Sequence, residues 1–233
     1  DLQVMIRIDY DIMTSYYAME LATLMKPIEI PLFPLNIVLF PGMNLPLHIF
    51  EPRYKDMIHY CLQNESDFGI LLSNEKDLCQ VGCTAKISHI IRQYEDGRLD
   101  IVTEGQQRFH VLEFLQANTY MEGVIEFFDD DSSEDLPDEL LDNVLNAYQK
   151  MIHLQTRGVG AVKGIFDPVH FSFIIASTLA LDPPEKQTLL ELTSTTERIR
   201  KLDTALMHML SQLEKQAALE RRAGTNGHGK HDE

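Results

Sequence analysis

The glycine-rich segment at residues 158–164, Gly-Val-Gly-Ala-Val-Lys-Gly, has a composition that could serve phosphate binding. Backbone N–H groups and a lysine cradle nucleotide phosphates when they occur in the order GxxxxGK[S/T] between a strand and a helix. This segment lacks that order, and it follows a helical pattern instead of a strand. We therefore interpret it as a loop between two helices.

Metal ligation is a second chemistry that the residue types allow. Cys79 and Cys83 are separated by three residues, as in half of a zinc site, but no second pair of ligands lies near them in the sequence. The histidines are scattered, and most of them alternate with apolar positions, which is typical of residues at the edge of a core. The sequence therefore predicts no metal site and no cofactor.

Charged residues within apolar runs are a third feature. Glu51 and Arg53 flank Pro52 directly after one apolar run, and Arg108 precedes Phe109 in another. A buried charge without a partner is very costly, so such residues pair with one another or with free backbone groups. We predict that Glu51, Arg53 or Arg108 form a structural network of ion pairs at a corner of the sheet. Recognition of a peptide terminus or a carboxylate is the functional alternative.

Motifs for catalysis are absent from the sequence. The chain has no GxGxxG, HExxH or GxSxG, and the spacing singles out no Ser–Lys or Ser–His–Asp set. The sequence therefore predicts no catalytic residues and a protein that is not an enzyme.

Charge and composition restrict the partners and the compartment. The formal net charge is −16, which repels a phosphate backbone, so nucleic acid is not an expected partner. No run approaches the 18 or so apolar residues of a membrane helix. Three cysteines at irregular spacing argue against a disulfide framework and favour a reducing, cytoplasmic location.

The segment at residues 31–54, which contains Glu51 and Arg53, has the pattern of a rigid folding template. It holds five of the ten prolines, which exclude a helix and favour short strands with rigid corners. We predict strands at 38–40 and 45–50, joined by a turn at Pro41 and Gly42. Pro46 suits the edge of a sheet, and Pro52 suits the first turn of a helix.

The remaining chain changes from strand patterns to helical patterns. Residues 84–94 and 99–104 predict a hairpin with its turn at Gly97, and Gly105 predicts a bulge. The acidic run at 129–139 is typical of a solvated linker, and helical spacing follows it, with helix N-cap signals at Asp167 and Asp182. The order predicts an α+β protein with a compact, mixed or antiparallel sheet closed into a barrel and helices after it. Residues 1–27 do not share these patterns, and we interpret them as an extension that contributes little to the fold.

The residues also support a family resemblance. The chain resembles the Lon N-terminal domain, also called the Lon substrate-binding domain, over about residues 28–213. The most specific matches are Pro-Leu-Phe-Pro-Leu at 31–35, Val-Leu-Phe-Pro-Gly at 38–42, Leu-Pro-Leu at 45–47 and Ile-Phe-Glu-Pro-Arg-Tyr at 49–54. The residues that carry the signature are Pro41, Gly42, Glu51, Pro52, Arg53, Tyr54, Gly97, Gly105, Arg108 and Phe109.

The resemblance implies a PUA-like mixed β-barrel at residues 28–130, a C-terminal helical bundle at 131–222 and a disordered tail at 223–233. In Lon proteases such a domain precedes an ATPase and a Ser–Lys protease domain. No Walker A motif occurs here, so the chain is similar to stand-alone proteins of the peptidase S16 Lon-like family. The implied function is non-catalytic binding of unfolded or damaged polypeptides, or an adaptor role beside a protease or chaperone. A small-molecule-binding or regulatory domain is the alternative, and a hydrolase is the third hypothesis.

Overall fold

The computed structural model describes residues 28–74, 77–116, 119–131, 136–156 and 167–225. The predicted extension at 1–27, the glycine-rich segment at 158–164 and residues 226–233 of the predicted tail lie outside the described residues.

The described residues form one mixed sheet whose strand pairings close into a ring. The strand order is β2-β5-β4-β3-β1-β6, and β5 also pairs with β6. β1 and β3 are parallel, and the other neighbours are antiparallel. Five strands therefore complete the ring, and β2 extends the sheet from β5 as an edge strand. The strands are β1 (Ile28–Leu35), β2 (Asn44–Ile49), β3 (Phe68–Ser73), β4 (Leu78–Gln93), β5 (Leu99–Leu115) and β6 (Met121–Phe127).

One helix lies within the strand-rich half, and the other described helices follow it, which confirms the predicted α+β class. Their starts follow the predicted capping signals. The Asp167 carboxylate accepts from the N–H of His170 at 2.9 Å, and Asp182 and Glu185 form a reciprocal capping box. The helices are α1 (Pro52–Asn64), α2 (Asp138–Gln155), α3 (Pro168–Thr178), α4 (Pro183–Glu191) and α5 (Thr195–Thr225).

The proline-rich segment contains the predicted turn but not the first predicted strand. Gly42 has a φ of 75°, and the N–H of Met43 donates to the carbonyl of Phe40 at 3.0 Å. The prediction of a strand at 38–40 was wrong, because these buried residues have irregular backbone. Leu39 packs against the strands beside α1, whereas Phe40 packs among the helices. The apolar run therefore reflects burial between two clusters and not strand pairing.

The hairpin of β4 and β5 has the predicted turn, with Gly97 at a φ of 81°. β5 continues through Gly105 to Leu115, and a register shift beside Gly105 confirms the predicted bulge. The Thr84 hydroxyl accepts from the N–H of Gln107 at 3.1 Å, which satisfies a backbone donor that the shift takes out of the ladder.

Strand and helix residues share one hydrophobic cluster. Phe40 and Val81 from the strand-rich half pack in the same cluster as Phe171 and Leu202 from the helices. The Gln187 amide also donates to the carbonyl of Val81 at 3.0 Å. The division between 28–130 and 131–222 stays a prediction, and the two parts bury their apolar surfaces against each other.

Candidate functional site

Three neighbouring cavities share lining residues at one end of the strand ring, and we call them together the mouth groove. The first, of about 490 Å³, lies where β1 begins and β6 ends. The second, of about 300 Å³, shares Ser66 and Asp67 with it. The third, of about 350 Å³, shares Gln106 and Gln107 with the first and reaches the start of α3.

The first cavity runs along an open strand edge. β1 pairs with β3 from Leu32 onwards, whereas its pairing with β6 begins at Ile28. Within the described ranges, residues 28–31 therefore have a paired strand on one side only. An open edge of this kind can take up another chain in extended conformation.

Apolar and hydrogen-bonding side chains surround this edge. Ile28, Tyr60 and Phe127 are large apolar residues with between a third and a half of their surface exposed, and all three line the first cavity. Gln106 and Gln107 bring amide groups from the bulge in β5. Exposed apolar groups that are concentrated around a concave surface mark an interaction site.

The end of α1 places two polar residues in the groove. Glu65 closes the helix with a φ of 49°, and the N–H of Ser66 donates to the carbonyl of Cys61 at 3.0 Å. The chain then turns so that Ser66 and Asp67 lie between the first two cavities. Burial raises the pKa of the Asp67 carboxyl, and the Lys86 ammonium opposes this shift in part.

The electrostatics of the mouth groove are acidic. Among the described residues, seven carboxylate residues line its cavities, against Lys86, Arg108 and His170. Arg108 is itself paired with Asp130. The carboxylate residues are Glu29, Glu65, Asp67, Asp129, Asp130, Asp131 and Asp167.

A buried ion cluster forms the inner wall of the third cavity. The Asp130 carboxylate accepts from the guanidinium of Arg108 at 2.5 Å and also from that of Arg198. The side chains of Arg108, Asp130 and Arg198 are 3%, 4% and 0% exposed. The cluster therefore holds two cations and one anion out of contact with water.

Other donors of both arginines bond to groups of the helical half. Arg108 donates to the carbonyls of Leu190 and Leu192 at 3.0 and 2.6 Å, just where α4 ends. Arg198 donates to the Leu192 carbonyl at 2.8 Å and to the Ser172 hydroxyl at 2.7 Å. The cluster thus joins β5, the segment after β6 and three helices at one point.

The predicted structural network forms around Arg108 and does not include Glu51 and Arg53, and a second prediction needs correction. Glu51 and Arg53 pair with each other at 2.9 Å on the exposed surface, and Arg108 belongs to the separate cluster with Asp130. The acidic run was predicted to be solvated, yet the Asp130 carboxylate is buried because it compensates two guanidinium groups. Sequence reasoning missed Arg198; its only signal was a basic residue next to Ile199 on the apolar stripe of α5.

The other signature residues lie at positions that shape the fold. Tyr54 is buried with its ring centroid 4.1 Å from that of Phe33, and Phe109 lies in the cluster of Leu32, Leu71, Val111 and Ile125. Among the signature residues, Pro41 and Arg108 line the mouth groove.

The three cysteines are free thiols. No group of three or more potential metal-ligating side chains occurs among the described residues. Burial raises the pKa of the Cys61 thiol to about 11 and that of Cys83 to about 12, and it also raises the pKa of the less buried Cys79. No described helix is long and apolar enough to cross a membrane.

We expect Ellman's reagent to label Cys79 first at about pH 8, and Cys61 and Cys83 only as the chain unfolds. The reactive form is the thiolate, and a raised pKa lowers its fraction, so the two buried thiols stay protonated until the pH nears those values. Thiol counting in native buffer and in urea checks this. Two fast-reacting thiols in native Cys79→Ser would contradict it.

Fold and groove together define the class: an α+β binding domain with a closed mixed sheet, a helical layer and a concave polar–apolar groove. The chain belongs to the family of ATP-dependent protease La (LON) substrate-binding domains, whose sequence profile matches residues 29–208. The resemblance in the sequence analysis is thereby confirmed.

Curated relatives and solved structures agree with this assignment. Lon protease 2 of Herpetosiphon aurantiacus is 28% identical over 80% of this chain, and Lon protease of Halothermothrix orenii is 30% identical over 76%. The matched part is 24% of each of these proteins, so the chain spans about a quarter of their length. A Lon N-terminal domain protein from Xanthomonas campestris has the same fold, with a TM-score of 0.61 and 24% identity over 75% of this chain and 96% of its own.

Proposed function

We propose that this protein is a non-catalytic module that binds unfolded or damaged polypeptides in the mouth groove. The observation that carries the proposal is the open edge of β1 beside exposed Tyr60 and Phe127, in a chain of the substrate-binding family. Main-chain hydrogen bonds to a strand edge depend little on sequence, which suits a binder of many unfolded chains.

The groove supplies each element that such binding needs. A bound segment adds as a strand beside residues 28–30, and alternate side chains lie against Ile28, Tyr60 and Phe127. The amides of Gln106 and Gln107 lie along the same cavity and can pair with polar groups of the segment. Folded proteins do not present free extended segments, so the groove discriminates in favour of unfolded chains.

The position of the groove supports an adaptor role as an extension of this proposal. The cavities lie at the strand ring and the start of α3, whereas α5 extends to Thr225 with Met207 and Leu219 exposed. A protease or a chaperone can therefore contact the helical side while a polypeptide occupies the groove. The free thiols fit a reducing compartment, and we place the protein in the cytoplasm.

Replacing Tyr60 with alanine should weaken the binding of an unfolded polypeptide by about 5- to 30-fold, the effect of removing an aromatic anchor worth about 1–2 kcal/mol. Its side chain is exposed on α1, so the fold should be unaffected. Fluorescence anisotropy with a labelled, reduced and alkylated protein that cannot refold measures the dissociation constant.

Ile91→Ala is the matched control, because Ile91 is also an exposed apolar residue but lies on β4 outside the mouth groove. It should leave the dissociation constant unchanged. Equal losses in both variants would point to non-specific hydrophobic adsorption and would sink the assignment to the groove.

A further inference from the structure

The charge pattern along the open edge specifies the kind of segment that the groove takes. Glu29 stands between Ile28 and Ile30 on β1, and alternate residues of a strand lie on opposite faces. The two isoleucines therefore share one face of the edge and Glu29 lies on the other.

A strand that pairs with this edge places its own side chains on the same two faces. Apolar residues then lie beside Ile28 and Ile30, and the residue opposite Glu29 meets a carboxylate. Opposite charges across such a pair stabilise it and like charges destabilise it, each by a factor of about 2–5 in affinity.

The surroundings reinforce this preference. Asp67 lies in the first cavity with Glu29, and none of the described residues that line that cavity is a lysine or an arginine. A cation placed near Asp67 would also offset the unfavourable burial of its carboxylate. The third cavity continues the acidic surface with Asp129, Asp131 and Asp167.

We propose that the mouth groove selects extended segments in which apolar residues alternate with lysine or arginine. This inference rests on the proposed function, because it assigns the substrate class of the same groove. The net charge of −16 adds long-range attraction for such segments and speeds their encounter at low salt.

Three labelled peptides of equal length test the proposal. They share leucine at alternate positions and carry lysine, glutamine or glutamate between the leucines. We expect the lysine peptide to bind at least about 5-fold more tightly than the glutamine peptide at roughly 0.05 M salt, and by a smaller ratio at roughly 0.3 M. The glutamate peptide should bind more weakly than both.

The double variant Glu29→Gln/Asp67→Asn should bring the lysine-to-glutamine ratio close to one. Glu139→Gln/Asp142→Asn is the matched control: it removes the same charge from exposed positions on α2 and should preserve the ratio. A ratio that falls equally in both double variants would show a net-charge effect and would overturn the proposal.

The other outcomes separate the inference from the proposed function. If the lysine and glutamine peptides bind wild type equally and Tyr60→Ala weakens both, the polypeptide site stands and the charge selection is wrong. If no peptide binds, both are wrong. A dimer in light scattering that does not bind the lysine peptide and that Tyr60→Ala dissociates would assign the groove to a second copy of this chain and would also overturn the proposal.

Discussion

Replacing Asp130 with alanine should lower the free energy of unfolding by about 3–5 kcal/mol, the range for a buried ion pair that loses one partner. The variant leaves the guanidinium groups of Arg108 and Arg198 close together in a site that excludes water. Burial already lowers the pKa of Arg108, which shows how unfavourable its environment is for a charge. The hydrogen bond that Asp130 accepts from the Thr195 hydroxyl at the start of α5 is lost as well.

Urea unfolding followed by far-UV circular dichroism measures the effect, because the chain has no tryptophan whose fluorescence could report on unfolding. Asp129→Ala is the control: it removes a carboxylate one residue earlier that is exposed and makes no ion pair with either arginine in the described structure. That variant should change stability by less than about 0.5 kcal/mol. Similar losses in the two variants would mean that general charge near the cavity, and not the shared carboxylate, stabilises the junction.

Replacing Gly105 with alanine should cost about 3 kcal/mol or more, because overpacking against a rigid neighbour is costly. A Cβ atom at this position would lie 2.1 Å from the backbone oxygen of Phe40. Two backbone hydrogen bonds fix this close approach: Gly42 N–H donates to the Gly105 carbonyl at 2.8 Å, and Gly105 N–H donates to the Met43 carbonyl at 2.9 Å. The new methyl group must therefore push the proline-rich turn away from β5 and break these hydrogen bonds.

Gly97→Ala supplies the comparison for Gly105. Gly97 has a φ of 81°, but the atoms nearest to a Cβ there are 3.8 Å away on the flexible Lys55 side chain. Alanine at this turn should therefore cost only about 1 kcal/mol, from backbone strain alone. Thermal unfolding of the two variants side by side measures the difference, and an equal fall in midpoint would show that the close approach to the Phe40 carbonyl does not require glycine at Gly105.

Local signals in the sequence predicted the local structure well. The capping residues Asp167 and Asp182, the turn at Gly97 and the edge position of Pro46 were predicted because their physical cause lies within a few residues. The strand predicted at 38–40 failed because an apolar run indicates burial without specifying a partner, and here the partners are two separate clusters.

The candidate site could not be predicted in the same way. The mouth groove combines the start of β1, the outer face of α1 and the bulge of β5, and no short-range pattern connects Ile28, Tyr60 and Gln106. Asp130 looked like any other residue of an acidic run, since its burial depends on Arg108 and on Arg198, which is 68 residues away. Such groups become recognisable only once the strand ring and the helices have been placed.

The pairing of β1 with β6 also sets an order of events during synthesis. Ile28 pairs with Ile125, so the ring can close only after the last strand, β6, has been synthesised. The β4–β5 hairpin needs only neighbouring residues and can form early. A nascent chain therefore has one side of β1 unpaired until all of β6, which ends at Phe127, has left the ribosome. Because an unpaired strand edge promotes aggregation, the chain needs protection until its groove has formed.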